Sequence, residues 1–242
     1  MRGTIFFTLL IVAHSAFAGE KSDSTKSPLQ VSGMISLNSN GIAPIPAFAL
    51  NKPAFSANLS FRKNRFSYDP QLSYGLNLKP WIIDNWFHYK LIANPSFELR
   101  TGINVSMFFS EYNTPNDKIW QGQRYTSFEL AGFRKVTQGL TLGLMYWYDL
   151  GIEPETISGY FINFVADQSD IGIGKHLLLA ANIQLFYIDY TDNNDGLFIA
   201  PKISFSLRKV PLSLFAQGIQ ALISNISPYP SFQWNIGIGY SF

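Results

Sequence analysis

Apolar and polar residues alternate one for one along most of this chain. In the last segment Phe232, Trp234, Ile236, Ile238, Tyr240 and Phe242 are separated by Gln233, Asn235, Gly237, Gly239 and Ser241. A period of two places successive side chains on opposite faces of an extended strand. The same rhythm sets Phe97, Leu99, Ile103, Val105, Met107 and Phe109 against Glu98, Arg100, Gly102, Asn104 and Ser106, with Thr101 the one lapse. It sets Leu140, Leu142, Leu144, Tyr146, Tyr148 and Leu150 against Thr141, Gly143 and Asp149. It recurs with Leu197, Ile199, Ile203, Phe205 and Leu207 against Lys202, Ser204, Ser206 and Arg208, and with Leu72, Tyr74, Leu76 and Leu78 against Gln71, Ser73, Asn77 and Lys79.

A soluble sandwich also alternates, so three further features decide the class. The runs often reach about 11 to 14 residues, against about 5–6 for an ordinary strand and roughly 9–11 for one that crosses a bilayer. The polar face is rich in Ser, Asn, Gln and Gly, as a barrel lumen is. Aromatics gather near the run ends (Trp81, Trp86, Trp120, Tyr125, Tyr146, Tyr148, Tyr187, Tyr190 and Tyr229), where bilayer interfaces favour them. No apolar stretch is long enough for a spanning helix.

The pattern predicts an all-β fold, a transmembrane antiparallel up-and-down β-barrel of about twelve strands, with ten or fourteen as the alternatives. The strands fall at 29–37, 54–62, 66–79, 86–92, 96–110, 124–135, 139–150, 157–165, 177–190, 197–208, 211–221 and 231–242. Connections at 63–65, 93–95, 136–138 and 209–210 are short, and 166–176 is the exception on that side. Those at 38–53, 80–85, 111–123, 151–156, 191–196 and 222–230 have six or more residues. Short turns on the periplasmic side and longer loops outside set the direction of insertion.

Composition agrees. Only 14% of residues are charged, against about 25% in soluble domains, while aromatics reach 16%. The formal charge is +2, which gives no basic excess for nucleic acid. Without cysteine there is no disulfide framework, thiolate metal site or cysteine nucleophile. At the N-terminus Arg2, an apolar run from Ile5 to Ala13 and Ala16-Phe17-Ala18 have the layout of a secretory signal peptide, residues 1–18. Residues 19–28 read as a flexible lead-in, and 29–242 as one barrel domain.

At this point the chain resembles Gram-negative outer-membrane β-barrel proteins, over everything after residue 18. The most specific part is Trp234-Asn-Ile-Gly-Ile-Gly-Tyr-Ser-Phe242. With Trp234, Ile236, Ile238, Tyr240 and Phe242 on one face it is similar to the signal read by the barrel-assembly machinery, and in such families this strand closes the barrel against the first. The resemblance implies outer-membrane localisation, with lipid and that machinery as partners.

Motifs that carry chemistry are few. Lipid-modifying barrel hydrolases resemble one another through a His-x-Ser pair; here His88 is followed by Tyr89-Lys90 and His176 by Leu177-Leu178. Asp192-Asn-Asn-Asp195-Gly196 lacks the first and twelfth ligands of a calcium loop and reads as a hairpin turn. Gly172-Ile-Gly174-Lys175 lacks phosphate-loop spacing and reads as a flexible turn. No metal or cofactor is expected. Glu98, Arg100, Glu129, Asp149, Lys202 and Arg208 fall on inward faces, either as a selectivity lining or as pairs that hold the lumen closed. Inward bulk from Phe108, Met145, Trp147, Phe186, Phe198 and Phe215 favours closure.

The external loop 42–50 is almost wholly apolar, and Trp81, Ile82 and Ile83 add a second cluster. Ile42, Pro44, Ile45, Phe48, Trp81 and Ile82 either present a surface to a protein partner or fold into the barrel's own mouth. Three functions follow. The pattern favours a non-enzymatic subunit supporting transport or assembly in the outer membrane. The alternative is a narrow, porin-like channel for small solutes. A lipid-modifying hydrolase is opposed by the missing His-x-Ser pair.

Overall fold

The computed structural model describes residues 27–45, 48–113, 117–154, 156–190, 194–226 and 231–242. The expected signal segment 1–18 and nearly all of the lead-in lie outside the described residues, as does Tyr229. Twelve strands follow one another: β1 (Gln30–Asn38), β2 (Ala54–Lys63), β3 (Phe66–Gly75), β4 (Pro80–Ala93), β5 (Phe97–Asn113), β6 (Lys118–Lys135), β7 (Leu140–Gly151), β8 (Gly159–Ile173), β9 (Leu177–Tyr190), β10 (Asn194–Leu207), β11 (Val210–Ser224) and β12 (Phe232–Ser241). Each is antiparallel to its chain neighbours, and β1 pairs with β12 to close the barrel.

The closing seam runs from Met34↔Ser241 to Asn38↔Gly237. It is extended below by reciprocal backbone bonds between Gly33 and Phe242, both 3.0 Å. Above, Asn235 staples the two strands. Its amide donates to Asn38 Oδ1 at 2.8 Å, and its Oδ1 accepts from the Asn40 backbone N–H at 3.1 Å and from Ser39 Oγ at 3.3 Å. Closure matters because lipid supplies no partner for an unpaired backbone group.

The faces follow the alternation. In β12, Phe232, Trp234, Ile236, Ile238 and Tyr240 lie exposed on the outside, whereas Gln233 and Asn235 are buried within. Ile103, Val105, Phe128, Leu130, Leu144, Tyr146, Phe164, Ile183, Leu185 and Phe205 continue the outer apolar belt. Ser36, Ser73, Asn104, Ser106, Ser127, Glu129, Asp149 and Asn163 are buried inside. This inverts the arrangement of a soluble protein and identifies lipid as the outer solvent.

Several boundaries differ from the sequence expectation. β4 begins at Pro80 and β6 at Lys118, so most of the expected loops 80–85 and 111–123 is strand. Pairing of β5 with β6 continues without interruption to Asn113↔Lys118. There polar residues such as Glu111 and Lys118, bonded at 2.8 Å, break the alternation without breaking the ladder. β8 continues to Ile173, which leaves only residues 174–176 as the turn and removes the single long periplasmic connection. A register shift between Gln168 and Ile171, with Asp170 at φ 57°, hides this extension from a period-two reading. Asp195 and Gly196 are not turn residues but lie in β10, paired with Asp189 and Ile188.

The expected aromatic girdles divide. Tyr146 and Tyr148 face outward, but Trp81, Tyr125 and Tyr190 are buried within the barrel. Trp86 also turns inward, stacked parallel to His88 at 5.3 Å. Both faces of β4 are apolar or aromatic, so composition alone does not orient it.

Asn235→Ala removes three seam hydrogen bonds and leaves the half-buried Asn38 and Asn40 groups short of a partner. It should destabilise the barrel by about 1–3 kcal/mol, measured by denaturant unfolding in lipid vesicles.

Candidate functional site

Among the described residues nothing on the outer surface gathers convergent polar chemistry, whereas the lumen is built of it. From the outside inward it comprises a folded-in loop, a cavity, a side-chain girdle and a periplasmic vestibule.

The loop between β1 and β2 turns back into the mouth. Its neck is closed by Gly41 N to Lys52 O at 2.8 Å and Asn51 N to Gly41 O at 3.1 Å, with Asn51 in the left-handed region at φ 55°. Trp81 Nε1 donates to the Phe48 carbonyl at 2.6 Å. Ala43 packs with Ala54, Trp81 and Ile82, while Phe48 and Leu50 border that cluster. Phe48 stacks on Phe108 with ring centres 4.0 Å apart. Ile42 and Ile45 pack on the far side against the cluster of Phe161, Phe186, Ile188 and Phe198. Pro44 lines the cavity beneath. Apart from Pro44, which is exposed, the apolar side chains proposed from sequence as a partner surface therefore lie against the barrel's own interior, with Trp81 and Ile82 each 4% exposed.

Below the loop is a cavity of about 450 Å³. Phe48, Trp86, Phe108, Tyr125, Trp147 and Tyr190 wall it, and Asp84 and Asp149 are its charged groups. Ile157, from the loop 152–158, covers one side. That loop is held by Arg124, whose Nε donates to Glu153 Oε1 at 2.6 Å and whose backbone N–H donates to Oε2 at 2.8 Å. These bonds hold the Glu153 carboxyl below its ordinary range.

A girdle then crosses the lumen. On its polar half Glu129, from β6, is buried and accepts from Arg100 Nε of β5 at 2.8 Å and from Trp147 Nε1 of β7 at 2.7 Å. His88 Nε2 of β4 lies 3.4 Å from the same carboxylate. His88 Nδ1 is 2.8 Å from Asp69 Oδ2 of β3, which also accepts from Ser67 Oγ at 2.6 Å, while Ser60 of β2 bonds the other Asp69 oxygen. Gly102 sits between His88 and Glu129 in the register, and a Cβ there would meet His88 Cδ2 at 2.6 Å. The glycine creates the space through which the ring reaches across a strand.

The aromatic half continues from Trp147 to Phe161 at 4.6 Å, Phe186 at 5.3 Å and Phe198 at 5.2 Å, one ring from each of β7 to β10. Trp86 of β4 touches Trp147 of β7 at 5.1 Å although two strands separate them. The lumen is narrowed at that point by side chains meeting across it.

Beneath the girdle a vestibule of about 300 Å³ opens toward the turn 94–96. Arg62, Lys90, Arg100 and Lys135 line it together with Glu98, and Lys90 pairs with Glu98 at 2.6 Å. The lumen is thus acidic above the girdle and basic below it.

The candidates from sequence separate accordingly. Arg100 and Glu129 meet in the girdle, and Glu98 pairs in the vestibule. Asp149 lines the upper cavity, with no cation beside it among the described residues. Lys202 lies over the Phe215 ring at 4.6 Å in a side recess. Arg208 lies in the turn just after β10, which ends at Leu207. Asp69, Asp84, Trp86 and His88 were not among the sequence candidates. On β4 their signal is the shared parity of Ile82, Asp84, Trp86 and His88, obscured by the equally apolar opposite face.

No protein-family model matches the chain, and no curated protein sequence does. Solved structures do match. A KdgM porin in complex with disordered oligogalacturonate superposes with a TM-score of 0.56 at 14% identity, covering 87% of this chain and 99% of that one. An outer membrane channel from Pseudomonas putida F1 gives 0.52 at 11% identity, covering 92% and 100%. The likeness is one of fold: this chain is a closed, twelve-stranded antiparallel β-barrel, as those outer-membrane proteins are.

Glu129→Ala would leave Arg100, His88 and the Trp147 indole without their shared acceptor. The expected cost is about 2–3 kcal/mol, on the scale of breaking a buried pair by removing one partner, read from denaturant midpoints. Glu129→Gln should lose less, since its amide oxygen still accepts one of these bonds.

Proposed function

We propose that this barrel is a narrow, non-enzymatic channel for small solutes. The observation that carries the reading is a polar-lined lumen in compartments, separated by one thin girdle of side chains. An outer cavity and a periplasmic vestibule lie on either side of a layer only one or two residues deep, centred on Trp86, His88, Glu129 and Trp147. A barrel built solely as a scaffold has no need for opposed acidic and basic compartments. Two barrels that share its fold are described as a porin and a channel, which supports the same reading.

A role as a subunit of a larger assembly drew on the apolar external loop. That loop now has an internal use, as the lid of the outer cavity, and the argument for a partner weakens with it. The non-enzymatic part draws on His88. Its two nitrogens face Asp69 and Glu129, so no serine stands on the imidazole as a nucleophile would.

The test is single-channel recording in planar bilayers. The native protein should show small, resolved steps. Trp147→Ala removes the ring that meets Trp86 and should raise the conductance several-fold, toward that of an unobstructed barrel of this size. Silence from both proteins, under conditions where each is shown to be inserted, would reject the channel.

A further inference from the structure

The outer cavity carries an electrostatic imbalance that the fold does not resolve. Asp149 is 4% exposed; Ser127 beside it is a hydrogen-bond partner of its carboxyl, but Oδ2 has none. Asp84 lines the same cavity and receives only a long bond, 3.4 Å, from Asn104 Nδ2. No lysine, arginine or histidine lines the cavity, and neither carboxylate forms an ion pair among the described residues. The contrast with Glu129, one layer deeper and served by Arg100 and Trp147, is direct.

An isolated carboxylate removed from water is strongly unfavourable unless it takes up a proton or is compensated by a cation or several donors. The donors beside these two carboxyls are few, and a cation from outside the chain can supply the compensation that the fold does not. The walls define its nature. Trp86, Trp147, Phe108 and Phe48 present ring surfaces, which attract cations through their quadrupoles and also accommodate an apolar body. A bare metal ion would be poorly served by such walls, and no group of three or more His, Asp or Glu side chains able to hold one occurs among the described residues.

We infer that the outer cavity binds a small organic ammonium ion, with its charged nitrogen against Asp149 and Asp84 and its apolar part among the aromatic rings. The inference deepens the channel reading by naming the class of solute that enters from outside. Binding itself does not depend on conduction.

The probe is phenethylammonium, titrated calorimetrically into the full-length barrel in detergent, with the fluorescence of Trp86 and Trp147 as a second signal. 2-Phenylethanol and phenylacetate serve as the neutral and anionic analogues. The expected result is saturable binding of phenethylammonium, weakened about tenfold or more in Asp149→Asn and in Asp84→Asn. The neutral analogue should bind at least about tenfold more weakly, and the anion not measurably. Lys175→Gln, in the turn at the opposite end, should bind as the native protein does. Asp149→Asn also removes an unpaired buried charge while keeping the side chain's shape. Its thermal unfolding should therefore be no lower than native, which separates a lost site from a lost fold.

Equal affinity for the three probes would overturn the inference, as would an unchanged affinity in Asp149→Asn. Calcium ions that bind more tightly than phenethylammonium and compete with it would overturn it in favour of a metal site. Absence of binding with conductance intact defeats the ligand assignment alone, whereas binding without conductance defeats the channel alone.

Discussion

Everything in this molecule depends on the rule that no backbone hydrogen-bonding group can be left unpaired in hydrocarbon. The sheet must close, and it closes where the first and last strands meet. The seam is short, from Met34 to Asn38, and is reinforced at both ends by Gly33, Phe242 and Asn235. Once it forms, register is fixed, because a slip of one residue would turn Gln233 and Asn235 to lipid and Trp234 and Ile236 to the lumen.

Closure also creates an interior that must be occupied. The polar face cannot pack as an aliphatic core does, so the chain fills the space with two kinds of directional contact. Over β2 to β7 it uses hydrogen-bonded charge, from Ser60 through Asp69 and His88 to Glu129. Over β7 to β10 it uses stacked rings, from Trp147 to Phe198. Trp147 belongs to both, with its indole N–H on Glu129 and its face on Phe161. The girdle is continuous because one residue type carries a donor edge and an apolar face together.

Much of this was legible in the sequence, and the exceptions have physical causes. The strand count, the antiparallel order and the orientation of β5, β7, β10 and β12 follow from strict alternation between lipid and lumen. β4 resisted because Trp81, Ile82, Trp86 and Phe87 are compatible with either face, and the inward position of Asp84 was lost with it. The upper parts of β5 and β6 resisted because beyond the membrane both faces meet water, so the ladder continues after the pattern stops. Among the charges, Arg100 and Glu129 could be placed in the lumen, but their partnership with His88 depends on the gap at Gly102, a contact across strands that no local spacing encodes. Asp149 could be placed inward as well. That it stands without a counterion is a property of three-dimensional neighbours.

The loop between β1 and β2 has a temporal consequence. It is made early in the chain, yet its side chains rest on Trp81 and Phe108 of β4 and β5 and on Phe161, Phe186 and Phe198 of β8 to β10. Those strands come together around it only when the sheet has curled into a cylinder. The loop can therefore seat only once the barrel is nearly complete, and until then its apolar residues stay uncovered. The segment that closes the mouth of the finished protein thus serves during assembly as a record of whether the wall behind it exists.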